Sequence, residues 1–212
     1  MSAIAPTPRV LTLSAPGSDE DAARAELWGL LALLFIAAPD AATLRLLAAL
    51  PPHEAAPSAA LSAASNRLRQ AAAAAGADDV RDEFEALFGG PGRPAVYVYG
   101  SFYLAGALHD KPLAALRGDL QRIGLSRRID LGESEDHFAM LAETMRYLIA
   151  GNDPAVCTLA RQRDMFERHI QPWAAAMCDA IDGDRQARFY RAVAAFTREF
   201  IQVEQLGFDL LD

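Results

Sequence analysis

The feature that most constrains this chain is the run Leu27 to Ala38, "LWGLLALLFIAA". Twelve consecutive residues contain no charged or hydrogen-bonding side chain except the indole of Trp28. A membrane span needs roughly 18 or more such residues, so the run is too short to cross a bilayer. Wound as a helix it is apolar around almost its whole cylinder, and such a helix must be covered on all sides by other elements. The neighbourhood of the run says what those elements are. Ala and Leu dominate the chain, residues favouring strands are few, and Pro and Gly punctuate it at helical lengths. These observations predict an all-α fold, a single-domain bundle of about eight to ten helices around a central first helix.

The 212 residues carry a formal net charge of −8. An acidic body of this kind argues against nucleic acid as partner, since phosphate binding requires a basic face. It suits a cationic peptide and is also ordinary for a bacterial-type protein. Cys157 and Cys178 form no CxxC pair and no zinc spacing, which reads as reduced thiols in a cytosolic protein. Residues 1–17 lack a basic stretch followed by a long apolar core, so no signal peptide and no stable membrane insertion are expected. They read as a flexible tail ahead of a helical domain over 18–212.

The start signals are explicit. Ser18 followed by Asp21 opens a helix that ends near Ala38 before Pro39, Asp40 opens a second through Leu50, and Ser58 a third to about Ala75. A fourth runs from Asp78 or Asp79 through Phe88, with Val80, Phe84, Leu87 and Phe88 on one face, and "GGPGRP" breaks it. The patch "AVYVYGSFYL" is strand-like but has no second strand to pair with. It is expected as an extended segment merging into a short helix. Lys111-Pro112 opens a helix ending at Gly124. Ser134 is expected to cap a helix through Ile149, Asp153-Pro154 to start one reaching Ile170, and Pro172-Trp173 to open a piece ending at Ile181. A long helix after Gly183-Asp184 reaches Gln205.

Chemistry-bearing candidates are few. Gly89 to Pro94 lacks the Gly-Lys-Ser/Thr of a phosphate loop and loses N–H donors to two prolines, so a rigid turn is the better reading. In "GESEDHFAML" the adjacent Asp136 and His137 point about 100° apart on a helix, which disfavours a hydrogen-bonded acid–base pair. His137 finds only Met140 and Leu141 at metal-ligand spacing. The other histidines are scattered, and no metal site is expected. The stretch reads most simply as a helix start, with Ser134 as cap and Glu135 and Asp136 in the favourable dipole. Tyr97, Tyr99, Phe102 and Tyr103 form an aromatic cluster beside the Gly/Pro turn, which suits either a packed loop or a binding groove.

Three stretches then coincide in order. "EFEALFGGPGRPAVYVYGSFY", "GESEDHFAMLAETMRYLI" and "FERHIQPWAAAMCDAI" resemble the successive motifs of the TorD/DmsD/NarJ family, cytosolic chaperones of molybdenum redox enzymes. The resemblance spans roughly residues 20 to 206. It implies an all-helical TorD-like fold, no catalytic reaction and no resident cofactor. The implied partner is an apo-molybdoenzyme catalytic subunit, held through its N-terminal twin-arginine signal peptide while its cofactor is inserted before export. Weak guanine-nucleotide binding and domain-swapped dimers are also associated with the family, so monomer and homodimer both stay open. Carried over by position, the resemblance places Phe84, Leu87, Phe88, Gly90 and Pro91 on the first motif. Asp136 and His137 fall on the Asp-His pair and Glu133 on its upstream acid. Glu135 stands where the family usually has Pro, and Ala95-Val96 with Gly100 replaces the usual neighbourhood of Ser101.

The resulting expectation is a peptide surface in which Glu133, Glu135 and Asp136 meet guanidinium groups. Phe84, Leu87 and Phe88, with Tyr97 and Tyr103, would meet the apolar stretch that follows. His137 would tune that surface by titrating near neutrality, or hydrogen-bond within the turn. Two alternatives stand beside it: a NarJ-like scaffold that docks a cytoplasmic enzyme subunit, and a nucleotide hydrolase using Gly89–Gly92 with Asp136 and His137.

Overall fold

The computed structural model describes residues 18–51, 58–89, 93–125 and 132–210. Gly90 and Pro91, the expected tail over 1–17 and the basic linker after Leu125 lie outside the described residues. The fold is all-α: among the described residues there are ten helices and no strand. They are α1 Asp19–Ile36, α2 Ala41–Ala49, α3 Ala59–Ala74, α4 Ala77–Phe88, α5 Gly100–Ala105, α6 Lys111–Arg122, α7 Phe138–Ala150, α8 Leu159–His169, α9 Gln171–Gly183 and α10 Phe189–Asp209.

Local chemistry sets most of the starts. The side chains of Ser18, Asp40 and Ser58 accept from the backbone N–H groups of Asp21, Thr43 and Leu61, which satisfies donors the first turn leaves free. The start of α10 is capped from a distance. The Glu83 carboxylate on α4 accepts from the N–H groups of Arg188, Phe189 and Tyr190 at 2.7–3.0 Å, fastening α4 to α10. Tyr190 in turn donates to the carbonyl of Leu34 on α1 at 2.9 Å.

The apolar first helix is central, as its sequence requires. α1 packs along α7, and Trp28, Leu31, Leu34 and Phe35 are fully or almost fully buried. α10 lies against α3, α4 and α9, α2 against α3, and α8 between α7 and α9. Trp28 meets Phe166 and Phe200 edge-on, joining α1, α8 and α10 in one core. Among the described residues no helix is long and apolar enough to cross a membrane.

Three boundaries differ from expectation. Ser134 does not cap α7: the helix begins at Phe138, and the Nδ1 atom of His137 accepts from the N–H of Ala139. Asp153-Pro154 forms a turn, with α8 starting later behind Thr158 as cap. The last helix begins at Phe189, after a turn built on Asp184, and continues to Asp209.

Candidate functional site

The chain is extended at Tyr99, just before α5, and there it does find a backbone partner. Tyr99 and His137 form an isolated antiparallel bridge, in which Gly100 N–H donates to the carbonyl of Asp136 at 2.9 Å and Phe138 N–H to that of Val98 at 2.8 Å. This bridge explains the late start of α7, because the N–H of Phe138 is already committed outside the helix. It also brings the first two motif stretches together around Asp136. The Asp136 carboxylate, 3% exposed, accepts from Ser101 N–H at 2.9 Å and from the Ser134 hydroxyl at 2.5 Å. Ser101 is fully buried, and its own hydroxyl accepts from His109 N–H at 3.2 Å.

The remaining polar groups of this region are likewise bound to each other. Tyr99 donates its hydroxyl to Glu133, and burial followed by that acidic neighbour pushes the phenol well above its usual range. Arg117 on α6 donates from Nε and Nη2 to Glu135 at 3.0 and 2.9 Å. His137 is 5% exposed. Burial pushes its pKa down to about 4, against the pull of Glu133 and Asp136. It is therefore neutral at pH 7, so titration near neutrality does not occur; the turn hydrogen bond is what the side chain makes.

The third motif supports the same region from below. Trp173 donates to the carbonyl of His169 at 2.6 Å, and the His169 ring contacts Asp119 Oδ2 at 2.7 Å. Tyr103 stacks on Trp173 with ring centres 5.5 Å apart. The backbone of Gly100 lies so close that a Cβ there would sit 3.0 Å from the Trp173 indole nitrogen. Gly100 is thus what lets the start of α5 rest on the tryptophan.

The apolar residues of the first motif divide. Leu87 is fully buried and belongs to the core. Phe84 and Phe88 are half-buried and pack edge-on with one another and around Tyr190. Phe35, 1% exposed, touches Phe88 on one side and Phe138 on the other, so the acidic stretch and the Phe84/Phe88 face are joined through the core. Tyr97 stacks on Phe102 at 4.0 Å with Arg93 over its ring, and Tyr103 donates to the Tyr97 carbonyl. Of the expected surface, Phe84, Phe88, Tyr97, Tyr103 and Glu133 keep part of their area exposed.

A second region, not foreseen from the motifs, is open. A groove of about 800 Å³ runs between α1, α3 and α10. Leu27, Leu61, Phe196, Phe200, Val203 and Phe208 supply its apolar wall. At one end Leu159, Leu206 and Leu210 are 45%, 61% and 86% exposed. Glu20 and Asp21 stand on the α1 side. Below them the Glu204 carboxylate, 4% exposed, accepts from Arg24 Nε at 2.7 Å, Arg24 Nη2 at 3.0 Å and the Trp28 indole at 2.9 Å. A bidentate guanidinium pair with an added indole donor satisfies the buried charges. The sequence holds a signal for the buried acid alone: Phe200, Glu204 and Phe208 fall on one helical stripe, and an acid on an apolar stripe needs a buried partner.

Among the described residues no group of three or more His, Cys, Asp and Glu is placed to hold a metal. Cys157 and Cys178 are unpaired, and burial pushes the Cys178 thiol up to about 12, which makes it a poor nucleophile at neutral pH.

The family model described as nitrate reductase delta subunit matches residues 54–179, more than half of the chain. An uncharacterized protein of Haemophilus influenzae is 35% identical over 77 residues, 36% of this chain and 40% of that protein. The aligned stretch therefore spans less than half the length of that relative.

Proposed function

The chain belongs to the nitrate reductase delta subunit family, and from that premise we propose that it is a maturation chaperone for a molybdenum-cofactor enzyme. On this reading it holds the N-terminal segment of the apo-enzyme, a twin-arginine signal peptide, until cofactor insertion is complete. The molybdenum cofactor is the client's, and this chain contributes binding rather than a reaction. The observation that carries the reading is the groove between α1, α3 and α10. It is mostly apolar, and on its α1 side stand Glu20 and Asp21, the latter also paired with Arg24 at 3.2 Å. A peptide with two guanidinium groups followed by an apolar stretch has the matching chemistry. Apolar contact at about 25 cal/mol per Å² supplies most of the affinity. Glu20 and Asp21 add orientation more than energy, since exposed ion pairs contribute about 0–1 kcal/mol.

A second surface is favoured by the partial exposure of Phe84, Phe88, Tyr97, Tyr103 and Glu133. Docking of a folded enzyme subunit there, without need of paired arginines, is the scaffold version of the same function. Calorimetric titration separates the two. The probe is a synthetic peptide of two adjacent arginines followed by about fifteen apolar residues, long enough to lie along the groove. Binding that weakens when both arginines become glutamine supports the signal-peptide reading. Binding indifferent to that change favours the scaffold, and absence of binding by any N-terminal peptide of a neighbouring molybdoenzyme overturns the proposal.

A further inference from the structure

The α3 bank of the groove leads to a donor that nothing else in the described residues uses. Ser58, Leu61 and Ser65 line the groove from α3, each three or four residues after the last. Arg69 is the next residue of that stripe, one turn beyond Ser65. Its side chain is half-buried, and its Nε atom is buried with no acceptor among the described residues. A buried donor left without an acceptor costs about 1–3 kcal/mol, and native proteins rarely hold one without a use. We propose that Arg69 is a client contact, taking a carboxylate of the bound segment just past the apolar wall of the groove. The inference rests on the function proposed above and adds to it an acidic determinant on the client.

The other charges of the groove do not fill this role. Arg24 is the guanidinium among the lining residues, and it is engaged by Glu204 and Asp21. The Glu204 carboxylate is occupied in turn by Arg24 and the Trp28 indole. Glu20, exposed on the α1 bank, stands outside these pairs. Arg69 stands on the α3 bank, eleven residues or about 16 Å at helical rise from Ser58. The uncommitted charges are therefore opposite in sign and lie on different banks. A segment matches them when it is apolar in the middle, basic near one end and acidic near the other. Because Arg69 is half shielded from water, a carboxylate bonded to its guanidinium is screened less than at an exposed pair. Arg67, two residues earlier, is exposed and points to the opposite side of α3, so it offers a control of equal charge.

The test crosses peptides with variants of the full chain, read by calorimetric titration. The arginine-bearing peptide is made with one Glu at each of four successive positions in its last third, so that each side of the segment presents it once. Four twins carry Gln at the same positions. With the parent chain, one Glu peptide should bind about fivefold or more tightly than its Gln twin. Arg69→Met should remove that preference, Arg69→Lys should keep part of it, and Arg67→Met should leave it intact. Arg69→Met should also melt within about 2 °C of the parent chain or above it, since the buried Nε has no internal acceptor to lose. Equal affinity within every Glu and Gln pair overturns the inference and leaves the function proposed above standing. A preference that survives Arg69→Met overturns it as well. So does a Tm lowered by more than about 4 °C, which would show an internal partner already in place. If no peptide of the set binds the parent chain, the proposed function fails and takes this inference with it.

Discussion

The region around Asp136 and the groove along α10 are built on opposite principles. Around Asp136 the polar side chains bond to one another and to nearby backbone: the carboxylate accepts from Ser101 and Ser134, Glu133 from Tyr99, Glu135 from Arg117, and His137 Nδ1 from Ala139. Along the groove, Leu206 and Leu210 at the end of α10 and Leu159 at the start of α8 face solvent beside an apolar wall. The first region lies inside the part of the chain that matches the family, 54–179, whereas α1 and α10 lie wholly outside it. The difference teaches that a motif's polar residues can be consumed in fastening the fold, while an apolar face outside the motif is left uncovered. Asp136 and His137 fix the junction of α5, α7 and the extended residues before α5.

The largest effect that could break this contrast is at Asp136. Asp136→Ala strips a buried acceptor from Ser101 N–H and the Ser134 hydroxyl. The cost is about 3 kcal/mol, as for other buried charged partners removed singly. In a chain of this length that is a fall in Tm of about 6–12 °C by calorimetry. Affinity for the arginine-bearing peptide should stay within about twofold, measured where the variant is fully folded. Lost binding at an unchanged Tm would return Asp136 to the client surface and erase the distinction drawn above.

The pH dependence comes next. His137 has a folded pKa near 4, lowered by burial from about 6.5. Its neutral form is favoured in the folded state, so the associated stability is complete above pH 6.5 and is lost as pH falls toward 4. Between pH 7 and pH 5 the loss is about 2 kcal/mol. In His137→Asn, where asparagine can still cap α7, urea denaturation should show a flatter profile over that window. An equal slope in both proteins would mean that the ring is not the buried neutral group described.

The groove itself gives a smaller, opposite pattern. Leu206 is 61% exposed and supports no core. Leu206→Asp should weaken the arginine-bearing peptide about tenfold, or roughly 1.4 kcal/mol, by calorimetric titration. Tm should move by less than about 2 °C. A normal affinity would place the peptide on the Phe84/Phe88 face instead.

Much of the fold was legible because its signals are local. Ser18, Asp40 and Ser58 act within three residues of themselves, and Pro and Gly end helices wherever they stand. Ser134 misled for two reasons: Asp136, two residues on, takes its hydroxyl, and the distant Val98 carbonyl takes the Phe138 N–H that a helix begun at Glu135 would have bonded to the carbonyl of Ser134. The aromatic patch was readable as extended structure but not its bridge to His137, 38 residues away in the chain. The groove was out of reach for the same reason. It exists only once Arg24 meets Glu204, 180 residues apart, and Leu61 shares a wall with Phe200. Periodicity shows which face of α10 is apolar and not which part of that face stays uncovered.

The smallest effect tests the edge of the fastened region. Glu135 is the position at which the sequence departs from the motif it resembles, and its carboxylate is held by Arg117 from α6. The Arg117 side chain is 50% exposed, so solvent screens the pair and its worth is below about 1 kcal/mol. Glu135→Gln should therefore shift Tm by no more than about 2–4 °C and leave peptide affinity within about twofold. Raising salt to about 0.5 M should erase most of the Tm difference between variant and parent. A variant that instead lost peptide binding in low salt, with its Tm intact, would show Arg117 giving way to a client guanidinium at Glu135. The acidic stretch would then be a second client contact, and the division between fastening and binding would run through this residue.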